Sequence, residues 1–229
     1  MMSFKSARAR NMRRHHAGFG LPHVAIVFVV LGLLLAGIFK WQEMVSNAKV
    51  RSVTDQIAAI QTAVSAFQAR FHALPGDYSA ATSNISGAGG NGDGDGVVAT
   101  DVERGYFWQH LANAGFILGS FDGAAVVGTD LICAPSTCPP NAFGGAMKYS
   151  WSQYASGSTS NAHELRIGRN IPVNILAEID RKIDDGVPDT GIFRVDTQVN
   201  LASCKSGAGA TSTYNVAGGQ QDCAGVRIY

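Results

Sequence analysis

FGLPHVAIVFVVLGLLLAGIF, residues 19–39, contains no Asp, Glu, Lys or Arg. At a rise of about 1.5 Å per residue, a helix of this length covers about 30 Å, the hydrocarbon thickness of a bilayer. Ahead of it, residues 1–18 carry Lys5, Arg8, Arg10, Arg13 and Arg14 and no acid. Positive charge before an apolar helix stays in the cytoplasm and sends the downstream chain outward. The expectation is a single membrane pass with an exported remainder. A secretory signal peptide shares the basic start, but its apolar core runs about 7–15 residues before a small-residue cut. Ala36-Gly37 is the place where such a cut would fall.

The formal net charge of +1, from 18 basic and 17 acidic residues, is lopsided. Everything past residue 18 sums to −4, because the five leader cations are gone and every acid remains. Phosphate contacts need clustered Lys and Arg, so a nucleic-acid partner is not expected. The four cysteines, Cys133, Cys138, Cys204 and Cys223, lie in Gly-, Ser-, Pro- and Asn-rich stretches without histidines at metal-ligand spacing. In an exported domain they read as disulfides; four free thiols would suit a cytosolic protein instead. Of the three connectivities, the local pairs Cys133–Cys138 and Cys204–Cys223 are preferred, since both loops close easily.

Downstream of the apolar run, Ile57, Ile60, Val64, Phe67 and Phe71 recur at spacings of three and four with polar residues between them. That is the apolar stripe of an amphipathic helix. No proline interrupts residues 23–74, so the two segments are expected to form one helix of about 50 residues and about 75 Å, stopped at Leu74-Pro75-Gly76. Beyond it, residues 104–118 read as a short helix burying Phe107, Trp108 and Leu111 and ended by Gly115. Residues 172–183 read as another, ending in the turn Asp184-Asp185-Gly186. Strands are expected within 147–154, 163–167 and 192–199, and no regular element in the Gly-rich 83–96. The fold class is therefore α+β, a small antiparallel sheet packed on a long N-terminal helix. The divisions are 1–18 leader, 19–39 apolar helix, 40–74 amphipathic continuation and 75–229 globular head.

Gly18-Phe19-Gly20-Leu21, at the junction of the basic segment and the apolar run, resembles the prepilin peptidase site of type IV pilins and pseudopilins, typically GFTLIE. The head adds landmarks that look like those of prepilin-like proteins: Leu74-Pro75-Gly76-Asp77-Tyr78, Gly90-Asn91-Gly92-Asp93-Gly94, Phe107-Trp108-Gln109-His110-Leu111 and the stretch Ile179–Gly191. The resemblance implies cleavage by prepilin peptidase between Gly18 and Phe19, with methylation of the new N-terminus. It also implies a pilin-like fold, an inner-membrane location with a periplasmic head, and assembly with other pilin or pseudopilin subunits into a type IV pilus or a type II secretion filament. His23 departs from the pattern. It stands fifth in the mature chain, where the family usually has a Glu that meets a neighbouring subunit's terminal amine. A histidine supplies no carboxylate, so assembly requires it neutral or places this subunit where no such pairing is needed, such as a tip.

Asn91-Gly92-Asp93-Gly94-Asp95-Gly96 matches the opening of an EF-hand calcium loop. The closing acid is missing, since its position falls on Val102. Two readings stand: a looser calcium site of Asn91, Asp93, Asp95 and Glu103 or Asp101, or a solvated turn. Some pseudopilins bind calcium in the head, which the resemblance carries over as an expectation. Asp180, Asp184, Asp185 and Asp189 read as caps of a helix end and turn. His163-Glu164 starts an HExxH that Ile167 breaks, and no nucleophile elbow or phosphate loop occurs, so no enzyme is expected. A binding module on a plain signal anchor and a membrane-anchored enzyme are the alternatives from other classes.

Overall fold

The computed structural model describes residues 20–129 and 132–229. The leader, Gly18 and Phe19 lie outside the described residues, as does the side chain of His23. The chain divides into two units, Met1–Met44 and Val45–Tyr229. Helix α1, Leu21–Phe71, begins in the first and ends in the second. In the first unit Val24–Leu35 is apolar and exposed, with Phe28 at 69% and Leu33 at 70% of full accessibility. Among the described residues no helix is long and apolar enough to cross a membrane.

In the second unit the expected stripe is the buried face of α1. Val53, Ile57, Ile60, Val64 and Phe67 are all in the core, and Phe71 packs against it half-buried. The helix stops three residues ahead of the expected Leu74. His72 turns to φ 54°, its N–H still bonded to Gln68 O at 2.9 Å. Immediately after it, Leu74-Pro75-Gly76 is buried, and a residue preceding proline is disfavoured in helix.

After α1 come α2 (Ala81–Asn84) and α3 (Asp101–Asn113). The start of α3 lies three residues ahead of the sequence expectation because Thr100 and Glu103 form a capping box. Its end matches the expected stop. Gly115, at φ 82°, donates to Ala112 O, and Phe116 N–H to Leu111 O, the paired bonds of a Schellman motif. Phe107, Trp108 and Leu111 are fully buried, and Phe107 stacks on Tyr149 with ring centres 4.2 Å apart.

The remaining strands and α-helices are β1 (Lys148–Ser152), β2 (Ala162–Arg166), α4 (Val173–Ile183), β3 (Phe193–Val195), α5 (Leu201–Cys204), β4 (Lys205–Ser206), β5 (Thr213–Tyr214) and β6 (Gly225–Ile228). A four-stranded antiparallel sheet has the order β1-β2-β6-β3; β4 and β5 make a separate hairpin. The three expected strands and the 172–183 helix are present, and the α+β class holds. The strand that joins β2 to β3, β6, carries no such signal in the sequence. Both disulfides, Cys133–Cys138 and Cys204–Cys223, are formed with the local pairing.

One face of the sheet is polar yet buried. Lys148, Ser150 and Ser152 of β1 lie beside Glu164 and Arg166 of β2, all nearly inaccessible. Arg166 places Nε and Nη2 on the two oxygens of Asp196 at 2.7 and 3.2 Å, and Nη1 on Gly128 O at 2.8 Å. Glu164 accepts from Ser152 Oγ and from the N–H groups of Tyr154 and Ala155. A buried polar layer persists only when its groups find partners in this way.

Candidate functional site

A cleft in the Val45–Tyr229 unit has a volume of about 810 Å³. One wall is the last part of α1, where Gln61, Ser65 and Gln68, four and three residues apart, share a face. Tyr149, His163 and Tyr229, from three neighbouring strands or strand ends, line it from the sheet. The rim comes from Tyr78 and from Gly94 and Gly96 of the Asn91–Gly96 loop. Tyr149 stacks on His163 with ring centres 5.6 Å apart and lies 5.9 Å from Tyr229. Burial lowers the pKa of His163 and raises that of Tyr149, and it raises that of Tyr229 to about 12. His163 Nε2 is shielded from water and has no hydrogen-bond partner.

Asp77 holds the loop. Only 3% exposed, it accepts the N–H groups of Gly94 (2.7 Å) and Asp95 (3.1 Å) on Oδ1 and that of Gly96 (3.0 Å) on Oδ2. A side chain at Gly92 would meet the Asp77 backbone at 2.3 Å, so glycine is required where the two segments touch. His110, fully buried, joins the same segments. Its Nδ1 accepts from Gly76 N–H at 3.1 Å and its Nε2 faces Gly90 O at 3.0 Å, which requires the neutral ring with the proton on Nε2. Burial pushes its pKa down in agreement.

The carboxylate oxygens of Asp77, Asp93 and Asp95 lie within 4.8 Å of one another. Burial first, then the charges of Glu103 and Asp95, raise the Asp77 pKa against the pull of the Gly96 and Gly94 N–H groups. Two of the four expected calcium ligands, Asp93 and Asp95, thus come together, with Asp77 as the third acid. Asn91 and Glu103 serve other partners. Asn91 Oδ1 accepts from Thr82 N–H and Oγ1, at 2.9 and 3.1 Å. Glu103 accepts from the N–H groups of Asp93, Ala99 and Thr100 at 3.3, 3.1 and 2.9 Å. The oxygen-only set suits a hard cation such as calcium, with Asp93 and Asp95 exposed and Asp77 largely committed to the backbone. Sequence spacing missed Asp77, which stands on a separate turn; the Leu74–Tyr78 landmark was its only trace.

Asp180, Asp184 and Asp185 also converge. Asp180 accepts from Gly186 N–H (3.2 Å) and Tyr214 OH (2.8 Å), Asp184 from the N–H groups of Ile192 and Phe193, and Asp185 from Val187 N–H and Thr190 Oγ1. Asp189 accepts from Lys205 Nζ at 2.7 Å and Gly209 N–H at 3.0 Å. These bonds end α4 and fix the turn after it. His163 and Glu164 do not converge, since adjacent strand residues point to opposite faces. No family model, no curated protein and no solved structure matches this chain.

Proposed function

We propose that this chain is a structural subunit of the type IV pilin-like class, a minor pilin or pseudopilin. Prepilin peptidase cuts between Gly18 and Phe19, the apolar helix holds the subunit in the inner membrane and then packs among other subunits in a filament, and the disulfide-bonded head faces outward. The observation that supports this most directly is the change in character along α1. From Val24 to Leu35 it offers apolar side chains on every side, whereas from Val50 to Phe67 it carries a single buried stripe. An all-round apolar helix fits an apolar setting, and a striped one fits a domain packed on one side. His23 in place of the family's Glu points to a position, such as a tip, where no carboxylate must meet a neighbour's amine.

The test is expression of the full chain with and without a prepilin peptidase, then intact-mass and N-terminal analysis. A mature chain beginning at Phe19, with or without an added methyl group, is expected. An uncut chain, under conditions that process a standard prepilin, overturns the reading and leaves a domain on a plain signal anchor. Calcium belongs to the same proposal, held by Asp77, Asp93 and Asp95. A higher Tm in calcium than in EDTA is expected, and equal values would remove the ion from the account.

A further inference from the structure

We infer that Asn91 is a site of spontaneous deamidation, held off while the Asn91–Gly96 loop is closed and loosening that loop once it occurs. Asn91-Gly92 is the only Asn-Gly step in the chain. Glycine after asparagine leaves the main-chain nitrogen unhindered and the backbone free to turn. That nitrogen attacks the side-chain amide carbon. A bond forms from Gly92 N to Asn91 Cγ, the bond from Cγ to Nδ2 breaks, and the amide nitrogen leaves as ammonia with the proton given up by Gly92. Water then opens the succinimide at either carbonyl, giving Asp or iso-Asp. Asn91 is exposed, so water reaches it. Neither filament assembly nor calcium is required.

The closed loop restrains the groups that ring closure must move. Gly90 O faces His110 Nε2 at 3.0 Å. Asn91 Oδ1 accepts from Thr82 N–H at 2.9 Å and from Thr82 Oγ1 at 3.1 Å. Gly92 N–H, which carries the proton that the nucleophile must lose, donates to Tyr78 O at 3.1 Å. Turning the peptide plane between Asn91 and Gly92 breaks these anchors. Room is short as well, since a Cβ on Gly92 would lie 2.3 Å from the Asp77 carbonyl carbon. The reaction therefore draws on the open state of the loop, as amide exchange does. Iso-Asp lengthens the main chain by a methylene group next to a contact that has no space for a Cβ, so the modified loop loses its fit against Asp77.

The full chain is incubated in detergent with EDTA at mildly alkaline pH, both folded and unfolded in urea, and followed by peptide mapping with mass spectrometry. Deamidation replaces NH₂ by OH and changes the mass, whereas isomerisation at Asp93-Gly94 or Asp95-Gly96 does not. Asn91 is expected to react at least about tenfold more slowly in the folded chain than in urea. Thr82→Val removes one bond to Asn91 and should speed the folded reaction about threefold, with no effect in urea. Near-UV circular dichroism confirms that the variant is folded. Amide exchange at Gly94, Asp95 and Gly96 should be faster in the iso-Asp product. Any of four results overturns the inference: no mass change at Asn91 in urea, equal rates folded and unfolded, a slower reaction in Thr82→Val (the Thr82 bonds then activate the amide instead of restraining it), or unchanged exchange in the iso-Asp product.

Discussion

Arg166 is wholly out of water, and its charge is matched by Asp196, equally inaccessible. Removing one member of such a pair strands the other, which costs about 3–5 kcal/mol, far more than an exposed pair contributes. Asp196→Ala is therefore expected to lower unfolding free energy by about that amount in urea titrations of the full chain. Replacing both residues with Leu and Met of similar volume should cost less. A drop below about 1 kcal/mol for the single change would mean that the pair is solvated. Asp180 has its pKa shifted upward rather than downward. Burial, offset in part by bonds from Tyr214 and Gly186 and reinforced by Asp185 and Asp184, raises its pKa from 3.8 to about 6. Between these values the folded chain keeps a proton that the unfolded chain has lost, so this group's contribution to stability falls as pH rises from about 4 to 6. Asp180→Asn should flatten that part of the stability–pH curve; an unchanged curve would show that Asp180 ionises normally. Neither residue was legible as buried. The strand KYSWS alternates polar and apolar as a half-solvated strand does, AHELR does so only in part because His163 and Glu164 are adjacent, and the chain segments around Gly128 and Asp196 turn the polar side inward.

Glu103 unites the start of α3 with the loop before it, since its carboxylate accepts the N–H groups of Asp93, Ala99 and Thr100. Thr100→Ala removes only the reciprocal cap bond and should cost about 1 kcal/mol. Glu103→Ala loosens both elements, and amide exchange at Asp93, Ala99 and Thr100 should accelerate together. Acceleration confined to α3 would show that the loop is held by Asp77 alone. Elements with a local code were readable in this way, as the stripe of α1 and the Gly115 stop show, whereas the start of α3 was expected at residue 104 although the Thr100-x-x-Glu103 box that sets it at Asp101 is just as local. The central position of β6 was not, because Gly-Val-Arg-Ile is short and its pairing partners, β2 and β3, are distant in sequence. The same distance hid Asp77 from the loop it secures. Cys204–Cys223 ties the α5 end to the residues just before β6 and closes 19 residues, against five for Cys133–Cys138. Loop-closure entropy grows with loop length, so Cys204→Ser/Cys223→Ser should destabilise by about 3 kcal/mol and more than Cys133→Ser/Cys138→Ser does. Equal losses would locate the effect in packing instead.

At the scale of the whole molecule, the proposed membrane anchoring makes the side on which the head lies testable, through its disulfides and the charges of residues 1–18. Among the described residues no cysteine is free, and structural disulfides persist in oxidising compartments. If the five cations of residues 1–18 set the orientation, the chain expressed in growing bacteria should resist maleimide labelling after denaturation unless first reduced. Changing Lys5, Arg8, Arg10, Arg13 and Arg14 to Glu removes the bias that keeps the leader inside, so the head should stay in the cytoplasm and its cysteines should label without reductant. The comparison separates two claims that fail differently. Labelling of the unaltered chain without reductant would refute export of the head, whatever the leader does. Protection that survives the charge reversal would leave export standing and show that the apolar run, independent of its flanking charge, directs the head outward.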